Sequence, residues 1–352
     1  MPTSLTYDVV MATRNRAEAV ALSIPLILAQ TRTPERVVIV DSSDDSAPIA
    51  GIVAQADGTG GIPVEYHRSD PGLTRQRNLG LTRCGADVVL FPDDDSLLYS
   101  DTAAAMMAAY EADTEARIAG VCAVPVTVPP PESAHELGTF DAETVGPVKA
   151  RLRALRQRLK EATAPANPFL AVGNALNAGP VAALGPDLRQ WVDPVPYMTG
   201  FRMSFRRAVI EGVGFDENLR RYAWFEDIDA SWGAMRAGAV VVARGARIYH
   251  HRAAAARAGG YRMGLWAILN RGYVVMKHVH ANPDIFPDPA REARRVKLAC
   301  RGRALAYRAM ARDAFGRDRA RGAADALRGL PGLTASPPTA LADTYLRLEA
   351  DP

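Results

Sequence analysis

An α/β fold built on a largely parallel sheet is what this sequence predicts, and three observations predict it. Short runs of β-branched and apolar residues recur through the N-terminal third. Stretches of helical composition separate them. The runs are apolar almost without interruption, which is the pattern of strands buried on both faces. In order, residues 7–11 form a first strand and 17–30 a helix, despite Pro25. Residues 36–40 form a second strand that runs straight into Asp41, and 49–55 are helical. Residues 63–66 give a short third strand, 73–84 a helix and 87–91 a fourth strand. In sheets of this kind ligands sit beyond the carboxyl ends of the strands.

Composition narrows the function classes. The chain has 352 residues, 48% apolar and 23% charged, as an ordinary globular protein does. No apolar run reaches the ~18 residues needed to span a bilayer, and no signal-peptide order opens the sequence. Three scattered cysteines, Cys84, Cys122 and Cys300, exclude a disulfide scaffold and a zinc knuckle, so a reducing cytoplasm is expected. The glycine-rich stretch 57–61 lacks a Gly-Lys-Ser/Thr ending and precedes a strand, so it reads as a turn. No Gly-x-Gly-x-x-Gly follows a strand, which disfavours a dinucleotide oxidoreductase.

Charge is unevenly placed. Residues 291–330 hold eleven Arg and one Lys against four acids, a net +8 that leaves −5 elsewhere in a chain of net +3. This arm reads as an amphipathic helix with Val296, Leu298, Ala299, Ala306 and Met310 on its apolar side. Packing on its own body is the expected role, and an anionic membrane surface is the alternative partner. No nucleic acid partner is expected. Residues 331–352, with Pro331, Gly332, Pro337 and Pro338, read as a flexible tail.

Chemistry concentrates in a few segments. Asp93-Asp94-Asp95 follows the fourth strand and Pro92. Three adjacent acids repel one another unless a cation sits among them. Asp93 and Asp95, two apart, can point the same way and hold a hard divalent ion, usually Mg²⁺ or Mn²⁺; a solvated acidic turn is the alternative. Ala12-Thr13-Arg14-Asn15-Arg16 follows the first strand, Val40-Asp41-Ser42-Ser43-Asp44-Asp45 the second, and Gly72-Leu73-Thr74-Arg75-Gln76-Arg77-Asn78-Leu79-Gly80 precedes the acidic triplet. Further on, 200–207 reads as a strand entering a helix, 214–217 as a turn, and Trp224-Phe225-Glu226-Asp227 as the opening of another helix. Acids there can be simple helix caps. Residues 240–242 and 246–251 read as two strands, the second ending in His250-His251, of which only one can face a given site.

Together these segments, over about residues 7–275, resemble family 2 glycosyltransferases of the GT-A fold, an α/β nucleotide-sugar-binding sandwich with a mostly parallel central sheet. The resemblance implies Thr13, Arg14, Asp41 and Arg77 at the donor diphosphate, with Asp93 and Asp94 also on the donor side. It implies Asp93, Asp95 and His250 (His251 as the alternate) at the metal, Asp227 as general base, and Glu226 orienting an acceptor hydroxyl. Ala12 replaces the family's usual Pro in the first loop. The implied activity is inverting transfer of a hexosyl or deoxyhexosyl group. The donor would be a nucleotide-diphosphate sugar, UDP- or dTDP-linked, and the acceptor a carbohydrate or glycolipid in cell-surface polysaccharide assembly. A cytoplasmic enzyme, peripheral at the inner face of the membrane, would suit that role. Residues 261–273 resemble the family's aromatic helix after the His; core packing, closure of the site and membrane contact are its possible roles. Trp191 and Asp193 are acceptor-side candidates, while 151–160 matches no pattern. Residues 1–255 are expected as the transferase domain (1–120 donor half, 121–255 acceptor half), with 256–330 a helical extension. A sugar nucleotidyltransferase would want Gly-x-Gly-Thr-Arg after the first strand, and a non-catalytic sugar-binding module would not need so many placed acids.

Overall fold

The computed structural model describes residues 4–133, 167–252 and 258–351; the basic stretch 151–160 lies outside them. The chain divides into two compact units, Met1–Thr144 with Asn177–Ala256 and Val145–Leu176 with Arg257–Pro352.

The first unit is an α/β sandwich. Its elements run β1 (Tyr7–Thr13), α1 (Ala17–Leu28), β2 (Arg36–Asp41), α2 (Ala47–Ala56), β3 (Val64–Arg68), α3 (Leu73–Leu81), β4 (Val88–Phe91), β5 (Ser96–Leu98), α4 (Thr102–Ala112) and β6 (Ile118–Val126). After α5 (Pro168–Ala182), where the division between units falls, come α6 (Pro186–Arg189), β7 (Val192–Pro194), β8 (Met203–Arg206), α7 (Arg207–Val213), α8 (Glu226–Ala234) and β9 (Ala239–His250). The sheet order is β3-β2-β1-β4-β8-β6-β9-β5, with β7 beside β9.

The continuous apolar runs explain the first half of that sheet. Val9, Val37, Ile39, Val88 and Leu90 lie in the buried core, and β3, β2, β1 and β4 are all parallel. The second half is mixed. β8 runs antiparallel to both β4 and β6, while β6 and β9 are parallel. Residues 240–242 and 246–251, expected as two strands, give a single strand that ends at His250. β9 pairs with β6 through a register shift and carries on past Gly245 to meet β5. A shift of this kind absorbs an irregularity without ending the strand.

The second unit is helical, with α9 (Gly260–Ala281), α10 (Pro289–Ala309), α11 (Ala314–Ala335) and α12 (Leu341–Ala350). Asp288 caps α10 by accepting from the Arg291 N–H at 3.0 Å, and Asp313 caps α11 by accepting from Gly316 N–H at 2.6 Å. Glycines set the crossing of α9 and α11: a Cβ on Gly264 would overlap the Arg319 carbonyl oxygen, and one on Gly322 the Tyr261 carbonyl oxygen. Residues 261–273 pack in this interior, where Leu265, Trp266, Ile268, Leu269 and Tyr273 are buried.

Two expectations for this region need correction. Residues 331–352 are not a loose tail. α11 continues through Pro331, and α12 places Tyr345 at 1% exposure, its hydroxyl donating to Asn270 at 2.9 Å and its ring stacked on Tyr273 at 4.5 Å. Leu341 and Tyr345, four apart, form a buried helical stripe that the prolines preceding it do not interrupt. In α10 the buried face is Val296, Cys300 and Tyr307, whereas Leu298 and Met310 are exposed. Leu298 follows Val296 by two residues, about 200° around the helix.

Candidate active site

The loops after β1 and β2 leave the sheet together because Thr13 and Asp41 are register partners at the ends of these strands. Asp41 is buried and held from three directions. It accepts from the Ser43 N–H at 2.7 Å, the Tyr66 hydroxyl at 2.8 Å and the Arg68 guanidinium at 3.0 Å. Gln76 on α3 donates to the carbonyls of Thr13 and Val40 at 2.9 and 2.8 Å and ties the two strand ends. Thr13 donates its hydroxyl to Asp94 at 2.8 Å.

Arg14 is not in this group. It points outward and pairs with exposed Asp44 at 3.1 Å. Between them Asn15 adopts φ 53°, which turns the chain so that Arg16 faces inward. Arg16 forks across Asp94 and Asp95 at 2.5 and 2.6 Å. Nothing in the sequence separated the two arginines of this loop except the tolerance of Asn for a left-handed conformation.

The acidic triplet splits by direction. Asp94 faces Thr13 and Arg16, while Asp93, Asp95 and His250 each present a ligand atom within 4.8 Å of one another. His250 Nε2 is 3.2 Å from Asp95. Its ring stacks on Phe201 at 4.5 Å and 13°, a support that the sequence did not single out. His251 instead gives its backbone N–H to the Asp95 carbonyl. Two carboxylate oxygens and one imidazole nitrogen suit a divalent ion such as Mn²⁺ or Mg²⁺, so the donor set fits the implied metal. Burial pushes the Asp93 carboxyl up against the pull of Arg77, and raises Asp94 to about 7 despite Arg16. Burial also acts on Asp95, but His250 and Arg16 outweigh it and hold that carboxyl at about 2.

The acid pair on the other flank begins α8. Phe225 occupies the cap position at φ 80°, a conformation that a bulky side chain adopts only when its surroundings enforce it. Its ring stacks on Trp224 at 5.1 Å. Asp227 is therefore inside the first turn and not the N-cap residue. It accepts from the Gly200 N–H at 2.9 Å and from Ile228 N–H at 2.8 Å, and remains half-buried. Buried Glu226 accepts from Arg77 at 2.5 Å. Gly200 leaves room for this: a Cβ there would lie 3.2 Å from both the Arg77 guanidinium and the Glu226 carboxylate. Burial raises both carboxyls; each then feels a second influence, the neighbouring Asp227 charge raising Glu226 and the two backbone N–H groups restraining Asp227.

Arg77 joins the two flanks. It is 1% exposed, donates to Glu226 at 2.5 Å and to Asp93 at 2.9 Å, and lies over the Phe215 ring. Arg77, expected at the donor diphosphate, is turned by α3 to its buried side with Thr74 and Leu81, where two carboxylates engage its guanidinium. Of the acceptor-side candidates, Asp193 forms an exposed pair with Arg244 at 2.7 Å, and Trp191 is exposed. The structure gathers neither of them with the acids.

Residues 8–165 match Glycosyl transferase family 2, a segment that opens in β1 and contains the acidic triplet. This chain carries a family 2 glycosyltransferase domain. None of the curated proteins matches the glycosyltransferase by sequence. Among solved structures, S. aureus TarS 1-349 in complex with UDP-GlcNAc is 15% identical with a TM-score of 0.51, over 98% of this chain and 91% of that one. The mannosyltransferase PcManGT from Pyrobaculum calidifontis, in complex with GDP-Man and Mn²⁺, is 16% identical with a TM-score of 0.47, over 99% and 87%. The fold is of the GT-A type, a mixed sheet with its parallel half at the N-terminus and a helical C-terminal region. Among the described residues of the glycosyltransferase, no helix is long and apolar enough to cross a membrane.

Proposed function

We propose that this glycosyltransferase moves a sugar from a nucleotide-diphosphate donor, UDP- or dTDP-linked, to a hydroxyl of a carbohydrate or glycolipid acceptor, with inversion. The observation that carries the reading is the Arg77 bridge, which ties an ion-binding triad to a second acid pair within one site. TarS, the neighbour with the same fold, binds UDP-GlcNAc, which supports a nucleotide-sugar donor. Asp41 and Thr13 bind the nucleotide from the strand ends. Asp93, Asp95 and His250 hold a divalent ion, whose chemistry is to stabilise charge on the leaving diphosphate.

Asp227 is the base because it is the more accessible acid of its pair, whereas Glu226 is buried against Arg77. The acceptor hydroxyl gives its proton to the Asp227 carboxylate as its oxygen bonds to the anomeric carbon. The bond to the diphosphate breaks on the opposite face, and its electron pair leaves with the nucleoside diphosphate. A burial-raised carboxyl is a stronger base than a solvated one. Glu226 orients the acceptor. Location at the inner face of the membrane, with contact through 291–330, belongs to the same proposal, as does a place in cell-surface polysaccharide synthesis.

The test is Asp227→Asn, assayed for turnover and donor affinity in one preparation. Turnover should fall about 10²- to 10⁴-fold with donor affinity kept. Near-normal turnover would move the base to Glu226.

A further inference from the structure

Exposed arginines and leucines alternate along one face of α10. Arg291, Arg294, Leu298, Arg301, Leu305 and Arg308 follow one another at intervals of three or four, the spacing that keeps residues on one side of a helix. All six are exposed, and the two leucines strongly so, at 68% and 67%. Large aliphatic side chains this open, set in a row of cations, are not explained by the packing of the unit, whose contacts come from Val296, Cys300 and Tyr307 on the opposite side.

Three of the four cations also lack an acidic partner among the described residues. On α11 the exposed Arg321 and Arg328 each pair with an acid three residues earlier, at 3.1 and 2.8 Å. On α10 only Arg294 of the stripe has a carboxylate, Asp288 at 3.4 Å. Arg291, Arg301 and Arg308 have no acidic partner among the described residues. Arg321 and Arg328 of α11 are thus balanced by acids on their own helix, whereas the α10 stripe is left largely open.

We propose that this face of α10 docks on an anionic lipid surface, with the arginines at headgroup phosphates and Leu298 and Leu305 entering the acyl boundary. The interface of a bilayer accepts a cationic head and an apolar side chain side by side, as a soluble polyanion does not. This narrows the membrane contact proposed above, on which it rests, from the whole 291–330 arm to one face of one helix.

The test is flotation of the full chain with vesicles of phosphatidylcholine plus phosphatidylglycerol, and of phosphatidylcholine alone, across a salt series. The parent should bind only the acidic vesicles. The triple variant Arg291→Gln, Arg301→Gln, Arg308→Gln should bind on the order of 100-fold more weakly, about fivefold per cation. Leu298→Ser with Leu305→Ser should lose about tenfold or more and should melt like the parent, since both positions are exposed. Loss of binding in Arg321→Gln with Arg328→Gln but in neither α10 variant would overturn the assignment to α10 while leaving membrane contact through the arm intact. No binding by the parent would overturn both. Equal binding by the leucine variant, or tighter binding of single-stranded RNA than of vesicles, would show a plain polyanion surface and overturn the lipid proposal.

Discussion

Replacing Arg77 by Met tests the bridge at the centre of the site. The side chain is 1% exposed, so Met fills part of its volume but leaves Glu226 and Asp93 without their shared donor. Two charge-assisted hydrogen bonds at about 1.5–3 kcal/mol each set a range of about 3–6 kcal/mol. Burial already raises the Glu226 carboxyl to about 8, and without the guanidinium it rises further and holds its proton more firmly. That escape puts the expected cost near the lower end, about 3 kcal/mol. For a chain of 352 residues the melting point should drop by about 4 °C at neutral pH. A carboxyl raised in the folded state keeps a proton that the unfolded chain has released, so its contribution is full below the ordinary carboxylate range and is lost as pH climbs through the raised value. The deficit of Arg77→Met should therefore widen as pH rises. Scanning calorimetry of parent and variant over a pH series measures this. Melting within about 1 °C of the parent at neutral and alkaline pH would refute the reasoning.

Chelation of divalent ions should abolish transfer, and Asp95→Ala should weaken donor binding in the presence of Mn²⁺; full turnover in excess chelator removes the metal from the reading. Asp94, raised to about 7 by burial against the pull of Arg16, should cost stability as pH rises from about 4 towards 7, by up to ~1.4 kcal/mol per pH unit. Asp94→Asn should flatten that slope in parallel melts, and an unchanged slope would assign the titration elsewhere. Tyr345→Ala should lower stability by about 3–5 kcal/mol, because it removes a buried ring and the hydroxyl that donates to Asn270. An unaffected melt is what a loose tail would give.

Much of the donor side was legible because it depends on local pattern. Apolar runs mark β1, β2 and β4, and whatever follows a buried parallel strand lies at its carboxyl end, so Thr13, Asp41 and the acidic triplet could be placed from sequence alone. The spacing of Asp93 and Asp95 told which acids share a direction. The loop-to-helix motif around Arg77 says where α3 lies, not which side of α3 turns inward. Arg16 and Phe201 went unnoticed since each acts through a partner remote in sequence: Arg16 through Asp94 and Asp95, Phe201 through His250. The reversed strand β8 was not foreseen for a similar reason, as its direction is decided by pairing with β4 and β6 rather than by its own residues. At the C-terminus, prolines and glycines drew attention away from the four-residue spacing of Leu341 and Tyr345, and that spacing is what folds α12 onto its unit.

The pairing of β5 with β9 sets Ser96 directly opposite His250, one residue beyond Asp95. One candidate ligand, His250, thus stands on a rung whose other member directly follows a second, Asp95, and Asp93 is tied to that rung by the Ser96 hydroxyl, which its own N–H meets at 3.0 Å. If these residues hold a cation, their ligand atoms are already gathered before it arrives. Capturing an ion there requires no loop to be ordered, so the chain entropy of assembling the ligands falls on the folding reaction and not on binding. Affinity should then depend on hydration and charge rather than on backbone motion. Slipping β9 by one residue would turn His250 away and bring a neighbour with the opposite facing to the same rung.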